Sequence, residues 1–118
     1  MRALIQRVSH GSVTVEGKKI GEISHGLVVL LGVDIGDNQE DILWLANKII
    51  NLRIFGDEKK LMNNSLINVN GDMMVISQFT LFAKTKKGNR PSYMNAAKSP
   101  KAIKYYNHFC DEIESILC

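Results

Sequence analysis

The sequence predicts a single domain of the α+β class, and three features of the chain support this prediction. Its 118 residues, of which 45% are hydrophobic and 23% charged, suit one hydrophobic core. The first third contains short β-compatible runs separated by turn residues. Two later segments carry apolar residues at helical spacing. Because a domain of this size buries only about two-thirds of its surface, association with a second copy would add useful burial.

The first third is expected to form strands. Residues 2–8 and 13–15 are β-compatible, and Gly17-Lys18 suits a turn that leads into residues 19–23. Residues 27–33 are continuously apolar and flanked by glycines, which is typical of a strand covered on both faces. We therefore expect this run to be the central strand of the sheet.

A helix is expected next. Asp37 and Glu40 resemble a capping box at its start. The residues that would form its buried face recur at helical spacing and are Ile42, Leu45, Ala46, Ile49 and Leu52. An exposed turn at residues 56–60 should follow this helix.

A hairpin and a second helix are expected in the remaining half. Residues 66–69 and 73–79 would pair across an Asn70-Gly71 turn, because both residues tolerate positive φ. The last helix should begin with Ser99 as its N-cap and Pro100 as its first residue. Its apolar face would consist of Ala102, Tyr106, Phe109, Ile113 and Leu117. No glycine or asparagine cap closes this helix, so we expect a truncated chain.

The positive charge is concentrated in one interval. No acidic residue occurs between Asp72 and Asp111, and seven of the 15 basic residues fall there: Lys84, Lys86, Lys87, Arg90, Lys98, Lys101 and Lys104. A local field of one sign is the usual footprint of a polyanionic partner. A solvated basic surface that binds nothing gives the same pattern. The composition alone leaves both interpretations open.

The cysteines and the hydropathy point to a reducing compartment. Cys110 and Cys118 are the only cysteines, and on one helix they lie nearly 12 Å apart along the axis, too far to pair. A disulfide framework is therefore excluded, as is a Cys-x-x-Cys metal site. No segment approaches the roughly 20 apolar residues of a membrane span, and no signal peptide is visible. We expect a cytoplasmic protein.

A search for catalytic residues finds one segment of interest. His10, His25 and His108 are scattered without metal-binding spacing, and no nucleophile elbow or phosphate-binding loop occurs. The polar segment Ser77-Gln78-Phe79-Thr80 ends an apolar run, where side chains often point into a cleft. The pattern alone favours a simpler interpretation, a strand end that hydrogen-bonds its neighbours and buries Phe79.

Five blocks together resemble the D-aminoacyl-tRNA deacylase family. They occur in the family's order, cover nearly the whole chain, and comprise residues 1–8, 26–32, 48–55, 77–82 and 87–92. The resemblance implies an α+β fold with a curved, barrel-like β-sheet on which two main helices pack. It also implies a homodimer with active sites at the subunit interface, aminoacyl-tRNA as substrate, and neither a metal ion nor an organic cofactor.

The family's first signature motif matches Ser77, Gln78, Phe79 and Thr80. By this resemblance, Thr80 and the amides around Phe79 surround the scissile ester carbonyl, Ser77 and Gln78 shape the pocket, and Ala102 borders the terminal adenosine. The resemblance also implies that the 2′-hydroxyl of the terminal ribose helps to activate water, so that no protein base is required. The basic interval, with Lys86, Lys87 and Arg90, would then grip phosphates of the acceptor end.

The family's second signature has no match. It is a Gly-Pro near the C-terminus that one subunit inserts into its partner's pocket to reject L-amino acids, whereas Pro91 follows Arg90 here and Pro100 follows Ser99. The sequence leaves open whether the chain is a fragment or a frameshifted product. The leading hypothesis is an active deacylase of D-aminoacyl-tRNA and of glycyl-tRNA mischarged on tRNA-Ala. The alternatives are an inactive tRNA-binding remnant and a purely structural domain.

Overall fold

The fold is built around one apolar strand. The computed structural model describes residues 1–117. Within them, the strands are β1 (Arg2–Val8), β2 (Gly11–Val15), β3 (Lys18–Ile23), β4 (Gly26–Gly32), β5 (Phe55–Gly56), β6 (Met62–Asn64) and β7 (Asp72–Ser77). The helices are α1 (Gln39–Asn51), a short 3-10 helix (Phe79–Phe82) and α2 (Lys101–Leu117).

Strand β4 is the centre of a three-stranded sheet, as the sequence predicts. It pairs antiparallel with β1 and parallel with β7. Its side chains alternate between the two faces of the sheet, and Leu27, Val29 and Leu31 are almost fully buried on one of them. These three residues belong to the main core cluster, so this face is the one that the helices cover.

Both helices pack against this buried face. Helix α1 contributes Ile42, Ala46, Ile49 and Ile50 to the core, and α2 contributes Phe109 and Ile113. The predicted apolar face of α2 is therefore confirmed at its centre, whereas Leu117 at its end is 37% exposed. Full burial of one such side chain stabilises the fold by about 1.5–3 kcal/mol, so this layer provides much of the stability.

The predicted capping box of α1 is displaced by one residue. Asn38, not Asp37, is the N-cap, and its side chain accepts from the N–H of Asp41 while the Asp41 carboxylate accepts from the N–H of Asn38. Asp37 is unavailable because its carboxylate is buried and accepts from the Met1 ammonium and the Asp34 N–H. Glu40 lies in the first turn, where a negative charge interacts favourably with the helix dipole.

The β2–β3 hairpin lies over the other face of the sheet. A Cβ on Gly11 would come within 3.0 Å of Val28, and one on Gly21 within 3.6 Å of Met74. Its turn is at Glu16-Gly17, one residue before the predicted Gly17-Lys18. Both turn residues have positive φ, at 51° and 78°, as a type I′ turn requires.

The hairpin predicted for residues 66–69 and 73–79 is wrong. Residues 66–70 form a turn, and β7 pairs with β4, so its partner is distant in sequence. Asn70 does adopt the expected positive φ, at 52°. The exposed turn predicted at residues 56–60 is present, and it connects β5 to β6 in a small hairpin that the sequence pattern does not indicate.

Helix α2 begins at Lys101, and Ser99 and Pro100 lie in the turn before it rather than within the helix. The N–H of Ala102 nevertheless donates to Lys98 O, which joins this turn to the first helical residues. The helix continues to Leu117, and Cys118 lies outside the described residues. Cys110 is a free thiol.

The predicted α+β class with two main helices is confirmed. Among the described residues, the strands form one three-stranded and two two-stranded sheets, and they do not close into a barrel. The β2–β3 hairpin folds over the three-stranded sheet and contacts β7. The polar segment that follows β7 therefore begins at the edge of the central sheet.

Gly26→Ala should disrupt the pairing of β4 with β7. An alanine Cβ at this position would lie 1.9 Å from the backbone oxygen of Asp72, so one of the two strands must move. We expect a loss of unfolding free energy of about 3 kcal/mol or more, measured by denaturant titration. In the matched control Gly21→Ala, the new methyl meets only the flexible end of Met74, and a change below about 1 kcal/mol is expected. Equal losses in the two variants would contradict this account.

Candidate active site at the end of strand β7

The signature segment begins where β7 leaves the sheet. Ser77 is the last residue of the strand, and the N–H of Gln78 donates to Leu31 O over 2.8 Å at the end of the β4–β7 ladder. The chain then turns into the 3-10 helix that begins at Phe79. The first N–H groups of such a helix have no acceptor within it, so the amides of Phe79 and Thr80 are available to another acceptor.

A cavity of about 590 Å³ opens beside this segment. Ser77 and Phe79 lie on one side of it, and Phe79 is 56% exposed. The Phe79 ring packs edge-to-face against Tyr93, with the ring centroids 5.0 Å apart. The exposed Phe79 contradicts the interpretation that this strand end only buries an aromatic side chain in the core. A cavity of this volume suits a small organic ligand.

The rest of the lining is formed by Tyr93, by residues 96–99 and by the start of α2. Two backbone hydrogen bonds fix this wall to the loop that follows β4: the N–H of Ile35 donates to Asn95 O, and the N–H of Ala97 donates to Val33 O. The small side chains of Ala96, Ala97 and Ala102 border the cavity. Larger side chains at these positions would fill the space that a ligand needs.

Tyr106 connects the cavity to the sheet. Its hydroxyl donates to the backbone oxygen of Val75 in β7 over 2.7 Å, and its ring lines the cavity. Burial, with a smaller contribution from neighbouring Cys110, raises the pKa of Tyr106 to about 12. The phenol is therefore neutral at physiological pH, where it acts as a hydrogen-bond donor and not as a base.

Cys110 is the cysteine of the described residues that lies near this site, and it is not activated as a nucleophile. Cys110 lies one helical turn beyond Tyr106, and burial raises the pKa of its thiol. A thiol with a raised pKa is a poor nucleophile, because the thiolate is the reactive form. The chemistry that this cavity can support is therefore hydrogen-bond stabilisation of a developing charge rather than covalent catalysis by a thiol.

The structure brings together some of the predicted site residues and separates others. Ser77, Phe79 and Ala102 border the one cavity. Gln78 and Thr80 are partly buried next to it, and the Gln78 side-chain amide donates to the Thr80 hydroxyl. Lys86, Lys87 and Arg90 line a different cavity, of about 320 Å³, together with Lys84, Ser92 and Met94.

The basic cavity belongs to a loop closed by paired backbone hydrogen bonds. The N–H of Lys84 donates to Ser92 O and the N–H of Ser92 donates to Lys84 O, both over 2.8 Å. The loop between them holds three further cationic side chains on a short, closed segment. This arrangement concentrates positive charge close in sequence to both walls of the larger cavity.

Several cavity residues were missed from the sequence, namely Tyr93, Ala96, Ala97, Lys98, Ile103 and Tyr106. Tyr106 was predicted to belong to the apolar face of the last helix, and it does pack against the core cluster. The hydroxyl of Tyr106 is the feature that could have indicated a further role, because a partly buried tyrosine hydroxyl usually has a hydrogen-bond partner. Tyr93, Ala96 and Ala97 belong to no sequence pattern that predicts a cavity wall.

Three comparisons with known proteins identify the family. Residues 4–117 match the family described as D-Tyr-tRNA(Tyr) deacylase. A Flavobacterium johnsoniae protein named D-aminoacyl-tRNA deacylase is 58% identical over 97% of this chain and 76% of its own length. One from Phocaeicola vulgatus with the same name is 56% identical over 96% of this chain and 75% of its own length. The chain belongs to the D-Tyr-tRNA(Tyr) deacylase family, which confirms the resemblance.

Two solved structures share the fold of this chain. The fold matches a structure named c-Myc DNA unwinding element binding protein with a TM-score of 0.93 and 37% identity, over 98% of this chain and 78% of that one. A probable eukaryotic D-amino acid tRNA deacylase matches with a TM-score of 0.79 and 18% identity, over 98% of this chain and 67% of that one. The second match supports the fold alone.

Two kinds of feature are absent from residues 1–117. None of the helices there has the length and apolar character needed to cross a membrane. The same residues contain no group of three or more His, Cys, Asp or Glu side chains arranged to hold a metal ion.

Tyr106→Phe should remove a phenol that ionises near pH 12 instead of the ordinary 10.0. Ultraviolet difference titration of the wild-type chain against this variant measures that pKa. Because folding raises the pKa, the phenol's contribution to stability is complete below pH 10 and is lost as the pH rises to about 12. The difference in unfolding free energy between the two chains should shrink over that window. A phenol that titrates near pH 10 in the folded chain would contradict the assignment.

Proposed function

We propose that this chain hydrolyses the ester of D-aminoacyl-tRNA and releases the free amino acid and the tRNA, with the aminoacyl end held in the cavity beside β7. One observation carries the placement of the site. The motif residues Ser77 and Phe79 and the distant Ala102 border the same cavity of about 590 Å³. Sequence positions far apart thus converge where a small acyl group and a nucleoside fit.

The reaction needs a water molecule and hydrogen-bond donors. The water oxygen attacks the ester carbonyl carbon, and the negative charge that develops on the carbonyl oxygen is stabilised by donors beside it. The bond from that carbon to the ribose oxygen then breaks, and a proton passes to the ribose oxygen. The donors proposed for this chain are the amides at the start of the 3-10 helix and the hydroxyl of Thr80.

The Gln78–Thr80 contact supports the role of Thr80. A hydroxyl has one proton to donate and two lone pairs that can accept. Because the Gln78 amide donates to the Thr80 oxygen, the Thr80 proton remains free for another acceptor. Gln78 therefore orients the hydroxyl, and Thr80 supplies the hydrogen bond to the oxyanion.

Thr80→Val should lower turnover of D-aminoacyl-tRNA about 100-fold, because removal of one preorganised donor typically costs a factor of that order. The substitution preserves the shape of the side chain, so the chain should remain folded. Thr14→Val on the exposed strand β2 is the matched control and should retain wild-type turnover. Release of labelled amino acid under single-turnover conditions measures the effect. Undiminished turnover in Thr80→Val would refute this role.

The basic loop is proposed to bind phosphates of the tRNA acceptor end. Lys86, Lys87 and Arg90 are exposed and surround one small cavity without an acidic neighbour in its lining. Phosphate contacts supply affinity that falls with salt and carries little information on tRNA identity. The loop would thus hold the tRNA while the cavity holds its aminoacyl end.

Simultaneous replacement of Lys86, Lys87 and Arg90 by alanine should weaken tRNA binding and reduce the slope of log affinity against log salt by about 2. Filter binding across a range of salt concentrations measures both quantities. The matched control replaces three exposed lysines elsewhere, Lys18, Lys59 and Lys60, and should preserve the slope. If the two triple variants have the same slope, the basic loop does not bind the phosphates.

A homodimer with its active sites at the subunit interface is proposed as the functional assembly. Cross-strand pairing aligns Leu4, Leu30 and Ile76 on the sheet face opposite the helices. Leu4 is 50% exposed and the other two are only partly buried. An apolar row of this kind gains stability when a second copy covers it. Cytoplasmic location, where charged tRNA is used, completes the proposal.

The decisive assay compares hydrolysis with binding. The chain is incubated with D-aminoacyl-tRNA, L-aminoacyl-tRNA and glycyl-tRNA-Ala, and ester cleavage and tRNA retention are measured in parallel. We expect cleavage of the D-aminoacyl and glycyl esters, since glycine has no side chain for a chirality filter to reject. Retention of tRNA without cleavage would establish the inactive tRNA-binding remnant, which the comparisons do not favour because the relatives carry the name of the enzyme.

A further inference from the structure

The N-terminal ammonium group forms an ion pair with a buried carboxylate. The Met1 nitrogen donates to Oδ1 of Asp37 over 2.6 Å, and the side chains of the two residues are 2% and 6% exposed. A buried charge pair is costly to desolvate, and removal of one partner leaves the other charge unpaired, which is strongly destabilising. The other ion pairs found among the described residues, Lys19–Glu22 and His10–Glu22, are about half exposed. The Met1–Asp37 pair is therefore the one that can order its surroundings.

Asp37 connects the Met1 ion pair to one wall of the proposed active site. Its second oxygen, Oδ2, accepts from the N–H of Asp34 over 2.7 Å, which closes the loop at residues 34–37. Ile35 in that loop donates its N–H to Asn95 O, and Asp34 forms a bridge with Ala96. Lys101, at the start of α2, donates to Ile35 O over 2.6 Å. The loop thus supports both segments that carry the alanines bordering the cavity.

Arg2 supports the other wall. Its guanidinium donates to Leu81 O of the 3-10 helix over 2.7 Å and lies 4.7 Å from the centre of the Phe82 ring. Phe82 is 3% exposed and packs so closely that a Cβ on Gly32 would lie 2.7 Å from its ring. The 3-10 helix that contains Phe79 and Thr80 is therefore held at its C-terminal end by the residue next to Met1.

We propose that Met1 and Arg2 are positioning residues for the active site, with the α-ammonium of Met1 fixing the Ala96–Ala102 wall and Arg2 fixing the 3-10 helix. Neither residue lines the cavity, so both act through the groups that do. The inference rests on the proposed function for its effect on catalysis. Its structural part, the fixing of the two walls, is independent of that function.

The first test compares the chain with a free Met1 amine with the same chain acetylated on that nitrogen. Acetylation removes the positive charge and leaves Asp37 without its partner. We expect the amides of Ile35 and Ala97 to exchange with solvent at least tenfold faster, while the amides of β4 are unchanged. We also expect kcat/KM for D-aminoacyl-tRNA, per folded molecule, to fall about tenfold. Glu22→Gln, which removes the exposed Lys19–Glu22 pair, is the control and should change neither quantity.

A second variant separates positioning from a general loss of stability. Asp37→Asn removes the stranded charge, so acetylation should have a smaller effect on exchange and on kcat/KM in this background than in the wild type. If acetylation leaves the exchange of Ile35 and Ala97 unchanged, the inference is wrong. It is also wrong if acetylation accelerates all amides equally, because the ion pair would then only stabilise the whole fold.

Arg2 has a matched control on its own strand. Arg7 also donates to a backbone oxygen, that of Ile54, over 2.6 Å, but far from the cavity. Arg2→Gln should accelerate exchange of the Leu81 and Ala83 amides, which donate within the 3-10 helix, and Arg7→Gln should not. Equal effects of the two substitutions would overturn the role of Arg2. Because amide exchange requires no substrate, a chain that fails to hydrolyse any ester would refute the proposed function and still test this inference.

Discussion

The parallel pairing of β4 with β7 is the constraint on which the site depends. Because the two strands run in the same direction, they end side by side, with Leu31 opposite Ser77. The segments that leave them therefore start from the same edge of the sheet, where ligands of parallel strands commonly bind. One segment becomes the 3-10 helix and the other becomes the loop that supports the alanine wall. The cavity lies between structures that both depend on this one ladder.

The antiparallel pairing of β1 with β4 completes this arrangement. It places Arg2 opposite Gly32, so the N-terminus reaches the edge where β4 and β7 end. Met1 and Arg2 can then contact the loop and the 3-10 helix, respectively. The apolar strand β4 thus lies at the centre of both the core and the sheet. Its pairings with β1 and β7 bring the ends of the three strands together and so position the two walls of the cavity.

The sequence was informative where the signal is local and uninformative where partners are distant. The apolar run at β4 and the helical spacing of α1 and α2 predict their elements, and the motif at Ser77 identifies the site through the family resemblance. The hairpin predicted before Phe79 was wrong because Asn70-Gly71 is a good local turn, whereas the pairing of β7 with β4 is a long-range choice. Asp37 resembles a helix cap in the sequence, because no local pattern reveals that Met1 contacts it. The roles of Ala96 and Ala97 could not be predicted, since small side chains in a loop carry no periodic signal.

The central claim is that the aminoacyl end of the substrate occupies the cavity beside β7. The most direct measurement is amide chemical-shift mapping of the chain with a D-aminoacyl group joined to 3′-amino-adenosine through an amide that cannot be hydrolysed. The account predicts that the largest shifts fall on Ser77–Thr80, on Ala96 and Ala97, and on Ala102. Shifts confined to another surface, such as the groove beside Trp44 on α1, or saturating ligand without any shift at Phe79 and Thr80, would contradict it.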